Sequence, residues 1–135
     1  MPPASIPASG PRRAIVVDDS RAMRVLLRKA LEERGFSVSE AGDGREALAR
    51  LEQMEPPDLA LIDWNMPEMD GLELISLLRK SPRFDGMAMV MVTSESEPAR
   101  IEQALRAGAD DYIMKPLSAE VLRERLMLLE EEISR

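Results

Sequence analysis

The chain has 135 residues, a formal net charge of −7, no cysteine and no histidine. That excludes disulfides, thiolate sites, Ser-His-Asp triads, histidine-ligated zinc and any phosphohistidine within this chain, leaving carboxylates, lysine, hydroxyls and backbone amides for chemistry. The acidic balance opposes nucleic-acid binding, no stretch is long and apolar enough to span a bilayer, and the N-terminus lacks a signal-peptide pattern, so a cytoplasmic protein is expected.

The length suits one domain. Residues 1–12 hold Pro2, Pro3, Pro7, Pro11 and Gly10 without apolar periodicity, and are expected to form a disordered tail ahead of a domain over 13–135. Ala14-Ile15-Val16-Val17 reads as a strand ending at Asp18-Asp19. A helix follows, with Met23, Leu27, Ala30 and Leu31 on one face, Arg24 and Arg28 largely off it, and Gly35 at its end. The alternation of Phe36-Ser37-Val38-Ser39 suits a strand near the sheet edge. Gly42-Asp43-Gly44 reads as a turn, Glu46 to Met54 as a short helix stopped by Pro56-Pro57, and Leu59-Ala60-Leu61-Ile62 as a buried strand ending at Asp63. A turn-rich loop with Pro67 leads to a helix from about Gly71 to Ser81-Pro82. Met87 to Val92 is apolar throughout, as in an interior parallel strand, with its methionines as core filler. Ile101, Ala104 and Leu105 mark a fourth helix, Asp111 to Met114 a fifth strand, and Leu122, Leu126, Leu129 and Ile133 a last helix that Ser118 caps.

Strict strand–helix alternation predicts an α/β fold: a doubly wound, five-stranded parallel sheet with five helices, flavodoxin-like in class. In such sheets ligands sit beyond the carboxyl ends of the strands. Asp18-Asp19, Asp63, Thr93 and Lys115 all follow strands, so three carboxylates, a hydroxyl and an ammonium are expected in one crevice. Like charges roughly 4 Å apart repel by on the order of 4 kcal/mol at an effective dielectric near 20. A hard cation such as Mg²⁺, Mn²⁺ or Ca²⁺ cancels that repulsion, and Mg²⁺ in particular takes one or two carboxylates plus a phosphate oxygen. Asp63 could then attack phosphorus, with Lys115 and Thr93 answering the added charge. Taken singly, Asp63, Asp19 or Ser20 could merely cap a helix, Thr93 could be strand filler and Lys115 a solvated charge.

These motifs, with Asp63-Trp64-Asn65-Met66-Pro67-Glu68-Met69-Asp70-Gly71 and Lys115-Pro116, resemble the receiver domain of bacterial two-component response regulators, in particular the CheY-like single-domain receivers of chemotaxis. The resemblance spans about residues 13 to 133. It implies Asp63 as phosphoacceptor, and Mg²⁺ held by Asp18, Asp19, Asp63 and the backbone carbonyl of Asn65. It also implies Lys115 as the partner of the phosphoryl group, a cis Lys115-Pro116 bond, Thr93 and Tyr112 as switch residues, and Asn65 and Glu95 as residues that tune phosphoryl lifetime. The implied partners are a CheA-like sensor histidine kinase as phosphodonor and a protein target on the face of the fourth helix, fifth strand and fifth helix, near Ile101, Tyr112, Met114 and Arg125. Glu97 and Pro98 depart from the lysine-bearing fourth helix of motor-binding receivers.

The expected protein is therefore a stand-alone receiver, monomeric or weakly dimeric, with no output domain after about Ile133 and no enzymatic turnover beyond its own phosphorylation and dephosphorylation. A phosphorylation-independent adaptor is one alternative. An aspartate-nucleophile, Mg²⁺-dependent phosphatase is another, but such enzymes carry an acid two residues after the nucleophile, where this chain has Asn65.

Overall fold

The computed structural model describes residues 12–94, 98–115 and 118–133, without the side chains of 132 and 133. In chain order the elements are β1 (Arg12–Val17), α1 (Arg21–Glu33), β2 (Phe36–Ala41), α2 (Gly44–Gln53), β3 (Leu59–Ile62), α3 (Gly71–Arg79), β4 (Ala88–Thr93), α4 (Pro98–Ala107), β5 (Asp111–Met114) and α5 (Ala119–Ile133). A short 3-10 turn, Pro82–Phe84, lies between α3 and β4.

The sheet is parallel, in the order β2-β1-β3-β4-β5. Side chains alternate across it, because successive residues of a strand point to opposite faces. Ala14, Val16, Leu61, Val90 and Val92 pack against Leu27 and Leu31 of α1 and Leu122, Leu126 and Leu129 of α5. Ile15, Val17, Ile62, Met89 and Met91 face Leu51 of α2, Leu74, Ile75 and Leu78 of α3, and Ala104 of α4. Met89 and Met91 are fully buried, as core filler should be. The half-buried middle of β2 agrees with its place at the sheet edge.

Local chemistry sets the helix starts. Ser20, Asp43 and Asp70 cap α1, α2 and α3, accepting hydrogen bonds from the backbone N–H groups of Met23, Glu46 and Glu73. Ser118 Oγ accepts from Val121 N at the start of α5. Gly44 belongs to α2 rather than to the preceding turn: a Cβ there would lie 2.7 Å from the Met69 carbonyl oxygen, so a bare backbone is needed where α2 meets the β3–α3 loop. The 3-10 turn was not legible in Ser81-Pro82, which reads only as a helix stop; its purpose is to bury Phe84 beneath α3.

β1 begins at Arg12, two residues before its apolar run, because Arg12 and Arg13 pair with Phe36 and Ser37 of β2. Arg12 lies over the Phe36 ring at 4.4 Å and donates to the Arg34 carbonyl at 2.8 Å. It also meets Glu130 of α5, which accepts from Arg34 Nε at 2.7 Å. Glu130 is only 15% exposed at its side chain. Its removal strands two guanidinium groups in a partly desolvated site. Glu130→Ala should therefore lower the unfolding free energy by about 2–3 kcal/mol, read as a lower urea midpoint at unchanged slope.

Candidate functional site

The parallel register brings the carboxyl ends of β1, β3, β4 and β5 together. Backbone hydrogen bonds prolong the ladders past the strand ends: Asp18 N to Ala41 O at 3.1 Å, Asp63 N to Val17 O at 2.8 Å, and Lys115 N to Thr93 O at 2.9 Å. Asp18 and Asp63 thus flank the β1/β3 junction, where the strand order reverses and an open α/β sheet leaves its crevice. Among the described residues, the buried polar side chains are Asp18 (1% exposed), Asp63 (5%) and Thr93 (0%). All three sit at this one edge.

Lys115 Nζ stands 3.0 Å from Asp18 Oδ2 and 3.3 Å from Asp63 Oδ1. The other Asp18 oxygen, Oδ1, accepts from Ser20 N at 2.8 Å. Asp19 lies exposed at the mouth, and one carboxylate oxygen from each of Asp18, Asp19 and Asp63 falls within 4.8 Å of the others. Burial pushes the Asp63 carboxyl up to about 6, helped by the charge of Asp18 and only partly opposed by Lys115. Burial pulls Lys115 down, yet its contacts with Asp18 and Asp63 more than offset that, and its pKa is raised. Lys115 is therefore firmly cationic. Three carboxylates against one ammonium leave an excess of negative charge in a largely buried pocket. The donor set is all oxygen, which fits a hard divalent cation held between Asp18, Asp19 and Asp63.

The helix-cap alternatives separate cleanly. Asp63 caps nothing, since Asp70 caps α3. Ser20 is the cap of α1, which leaves Asp19 for the pocket.

Comparison with known proteins gives the pocket its family. The model of the response regulator receiver domain matches residues 14–127. The chain belongs to this family. It is 39% identical over 115 residues to the chemotaxis protein CheY1 of Helicobacter pylori, an alignment covering 84% of this chain and 93% of that one. It is 41% identical over 115 residues to a CheY homolog of Campylobacter jejuni, covering 84% and 88% of the two chains. The solved structure of the chemotaxis response regulator CheY4 of Vibrio cholerae superposes with a TM-score of 0.82 at 30% identity, covering 89% of this chain and 99% of that one. The protein is a CheY-like receiver of signal transduction, with the flavodoxin-like architecture its strand pattern predicts.

Within this receiver, Tyr112 is buried, 9% exposed, on the sheet face covered by α2, α3 and α4. Its carbonyl accepts from Arg125 Nη2 of α5 at 2.8 Å. Asn65 is exposed in the loop after β3. Glu95, Glu97 and the proline of Lys115-Pro116 lie outside the described residues. No described helix is long and apolar enough to cross a membrane.

Sequence reasoning missed the supports of the pocket. Arg24 reads only as a residue off the apolar face of its helix, yet its Nη1 donates to the Asp18 carbonyl at 2.6 Å. Gly71 reads as a helix start, yet it lies against the backbone of Asp63. Trp64 is 3% exposed, with the Arg100 guanidinium of α4 5.3 Å from its ring centroid. Local sequence gave no signal for these contacts, because each joins residues that only the folded chain brings together.

Proposed function

We propose that this receiver takes a phosphoryl group from the phosphohistidine of a CheA-like sensor histidine kinase onto Asp63, in a Mg²⁺-dependent step, and thereby changes its affinity for a protein target. The observation that carries this reading is the pairing of buried Asp18 and Asp63 with the ammonium of Lys115, at the strand edge where Thr93 is also buried. An Asp63 oxygen forms the new P–O bond. The donor's P–N bond breaks, and the imidazole keeps the electron pair and takes up a proton. Asp18, Asp19, Asp63 and the Asn65 carbonyl would hold Mg²⁺, which when bound offsets the charge on the transferring phosphoryl oxygens. Lys115 stands ready to pair with the product dianion, and Thr93 lines the same strand edge.

The chemistry stops at self-phosphorylation and its reversal. Asn65, two residues after Asp63, has an amide that cannot serve as the acid/base of an aspartate phosphatase. The proposed readout is the face of α4, β5 and α5. It carries a groove of about 250 Å³ lined by Tyr112, Ile113, Met114, Val121 and Arg125, and leaves Leu105, Met114 and Val121 at least 40% exposed. A new charge at Asp63 biases Thr93 and Tyr112, and so the floor of that groove. The protein would act in the cytoplasm as a monomer or weak dimer, without binding nucleic acid.

Acetyl phosphate with Mg²⁺ tests the reading. Intact mass should rise by one phosphoryl group, Trp64 emission should be quenched, and both effects should vanish with EDTA and in Asp63→Asn. A Mg²⁺-independent adduct, or one that persists in Asp63→Asn, would overturn it.

A further inference from the structure

The sharpest unassigned geometry lies behind the acidic pocket rather than in it. Among the described residues no hydrogen bond or ion pair restrains the Asp19 carboxylate, although it is one of the three acids that converge. What is restrained is the peptide unit that carries it. Its carbonyl oxygen, that of Asp18, accepts from Arg24 Nη1 at 2.6 Å, and the peptide unit before it is pinned where the Asp18 N–H donates to Ala41 O at 3.1 Å. A peptide unit is planar, so gripping its carbonyl oxygen fixes the plane from which the Asp19 side chain departs.

Arg24 is itself held. Its Nε donates to Glu40 Oε1 at 3.1 Å, and the other oxygen of Glu40 accepts from Arg28 Nη1 at 2.6 Å. Glu40 stands on β2 and keeps its charge: burial pushes its pKa up, but Arg28 and Arg24 together hold it below the usual carboxylate range. The Arg24 side chain is 19% exposed, so the fork is largely out of solvent and fixed in direction.

We propose that Arg24 is a positioning residue for the cation site, acting through the Asp18–Asp19 peptide, with Glu40 and Arg28 as its brace. This rests on the reading of Asp18, Asp19 and Asp63 as a Mg²⁺ site. Outer groups that orient metal ligands typically change affinity by about 10–100-fold when lost.

The sign of the effect separates positioning from simple charge. Arg24 is a cation near three acids. If charge were its only contribution, Arg24→Ala would tighten Mg²⁺ binding and Arg24→Lys would leave it unchanged. A positioning role requires both variants to bind more weakly.

The experiment is a Mg²⁺ titration of wild type, Arg24→Ala and Arg24→Lys, read by Trp64 fluorescence, with thermal unfolding confirming that each variant is folded. The expected result is a rise in Mg²⁺ dissociation constant of about tenfold in Arg24→Ala and a smaller rise in Arg24→Lys. The acetyl phosphate reaction should be slow at low Mg²⁺ and recover to within about twofold of wild type at saturating Mg²⁺, since the reacting groups are intact. Should Arg24→Ala not fold, Arg24→Lys alone decides the matter. A dissociation constant unchanged or lower in the folded variants overturns the positioning role while leaving the metal site standing. A wild type that binds no Mg²⁺ overturns the metal reading, and this inference with it.

Discussion

Without Mg²⁺ at pH 8, the Asp63→Asn protein should be more stable than wild type, by up to about 3 kcal/mol. The Asp63 carboxyl is raised from 3.8 to about 6. A shift of roughly 2 units, at about 1.4 kcal/mol per unit, sets the upper bound. The cause is burial, reinforced by Asp18, and the 3.3 Å contact with Lys115 offsets only part of it. A folded-state pKa above the unfolded value means that the folded protein binds the proton more tightly. The contribution of Asp63 to stability is fully present below about pH 4 and is lost as pH rises through about 6. The advantage of Asp63→Asn should accordingly be absent near pH 4, grow between pH 4 and 6, and level off above. In a chain of this size it corresponds to a rise in Tm on the order of 10 °C.

Mg²⁺ should narrow the gap by stabilising wild type selectively, by about 2.7 kcal/mol at one hundred times its dissociation constant. Thermal unfolding of both proteins at pH 4, 6 and 8, with and without Mg²⁺, makes the comparison. A destabilised Asp63→Asn protein at pH 8 without metal would mean that attraction to Lys115 outweighs desolvation, and that the pocket is stable as it stands. The same titration should appear in the proposed function: in the absence of metal the Asp63 carboxylate is increasingly protonated below about pH 6.

The pocket itself was legible because each of its parts is local. Ile62 followed by Asp63, or Val17 followed by Asp18, is an apolar run broken by an acid, and parallel topology then carries every strand end to one edge. The layers were legible for the same reason, since Leu122, Leu126 and Leu129 repeat at helical spacing and all become buried. Contacts between distant segments were not legible. Arg12 finds Glu130 across 118 positions, and nothing near either residue announces the other. Arg79 offers the same lesson, for it donates to the carbonyls of Gly108 and Phe84 and meets Asp110, tying α3 to the α4–β5 connection. Backbone conformation in the β3–α3 loop was also hidden. Pro67 and Gly71 draw the eye there, but the residue with left-handed φ is Glu68, at 64°, inside a turn closed by Met69 N to Pro67 O.

Gly71→Ala should cost stability and phosphorylation together. Gly71 is the first residue of α3 and has no left-handed φ, so its backbone alone does not demand glycine. Helix propensity favours alanine by up to about 1 kcal/mol. The opposing term is larger. A Cβ at this position would sit 2.2 Å from the Asp63 carbonyl oxygen and 3.0 Å from its carbon. Neither atom is the end of a flexible side chain. Asp63 N is bonded to Val17 O, and Gly71 N to Trp64 O at 2.9 Å, so strand end and loop must move as one. Overpacking of this kind costs about 1–3 kcal/mol, and against fixed backbone the upper end applies, leaving a net loss of about 2 kcal/mol. Whatever displacement relieves the contact is applied to the residue proposed to attack phosphorus. A misplacement of about 1 Å at a reacting group lowers rates by about 100-fold, so the acetyl phosphate reaction should fall by up to that factor even at saturating Mg²⁺. Gly86→Ala is the control. A Cβ there meets nothing within 4 Å, and stability should hold or rise slightly. A Gly71→Ala protein as stable and as reactive as Gly86→Ala would show that the loop yields freely. The close approach of α3 to the Asp63 backbone would then not be what fixes the proposed phosphoacceptor in place.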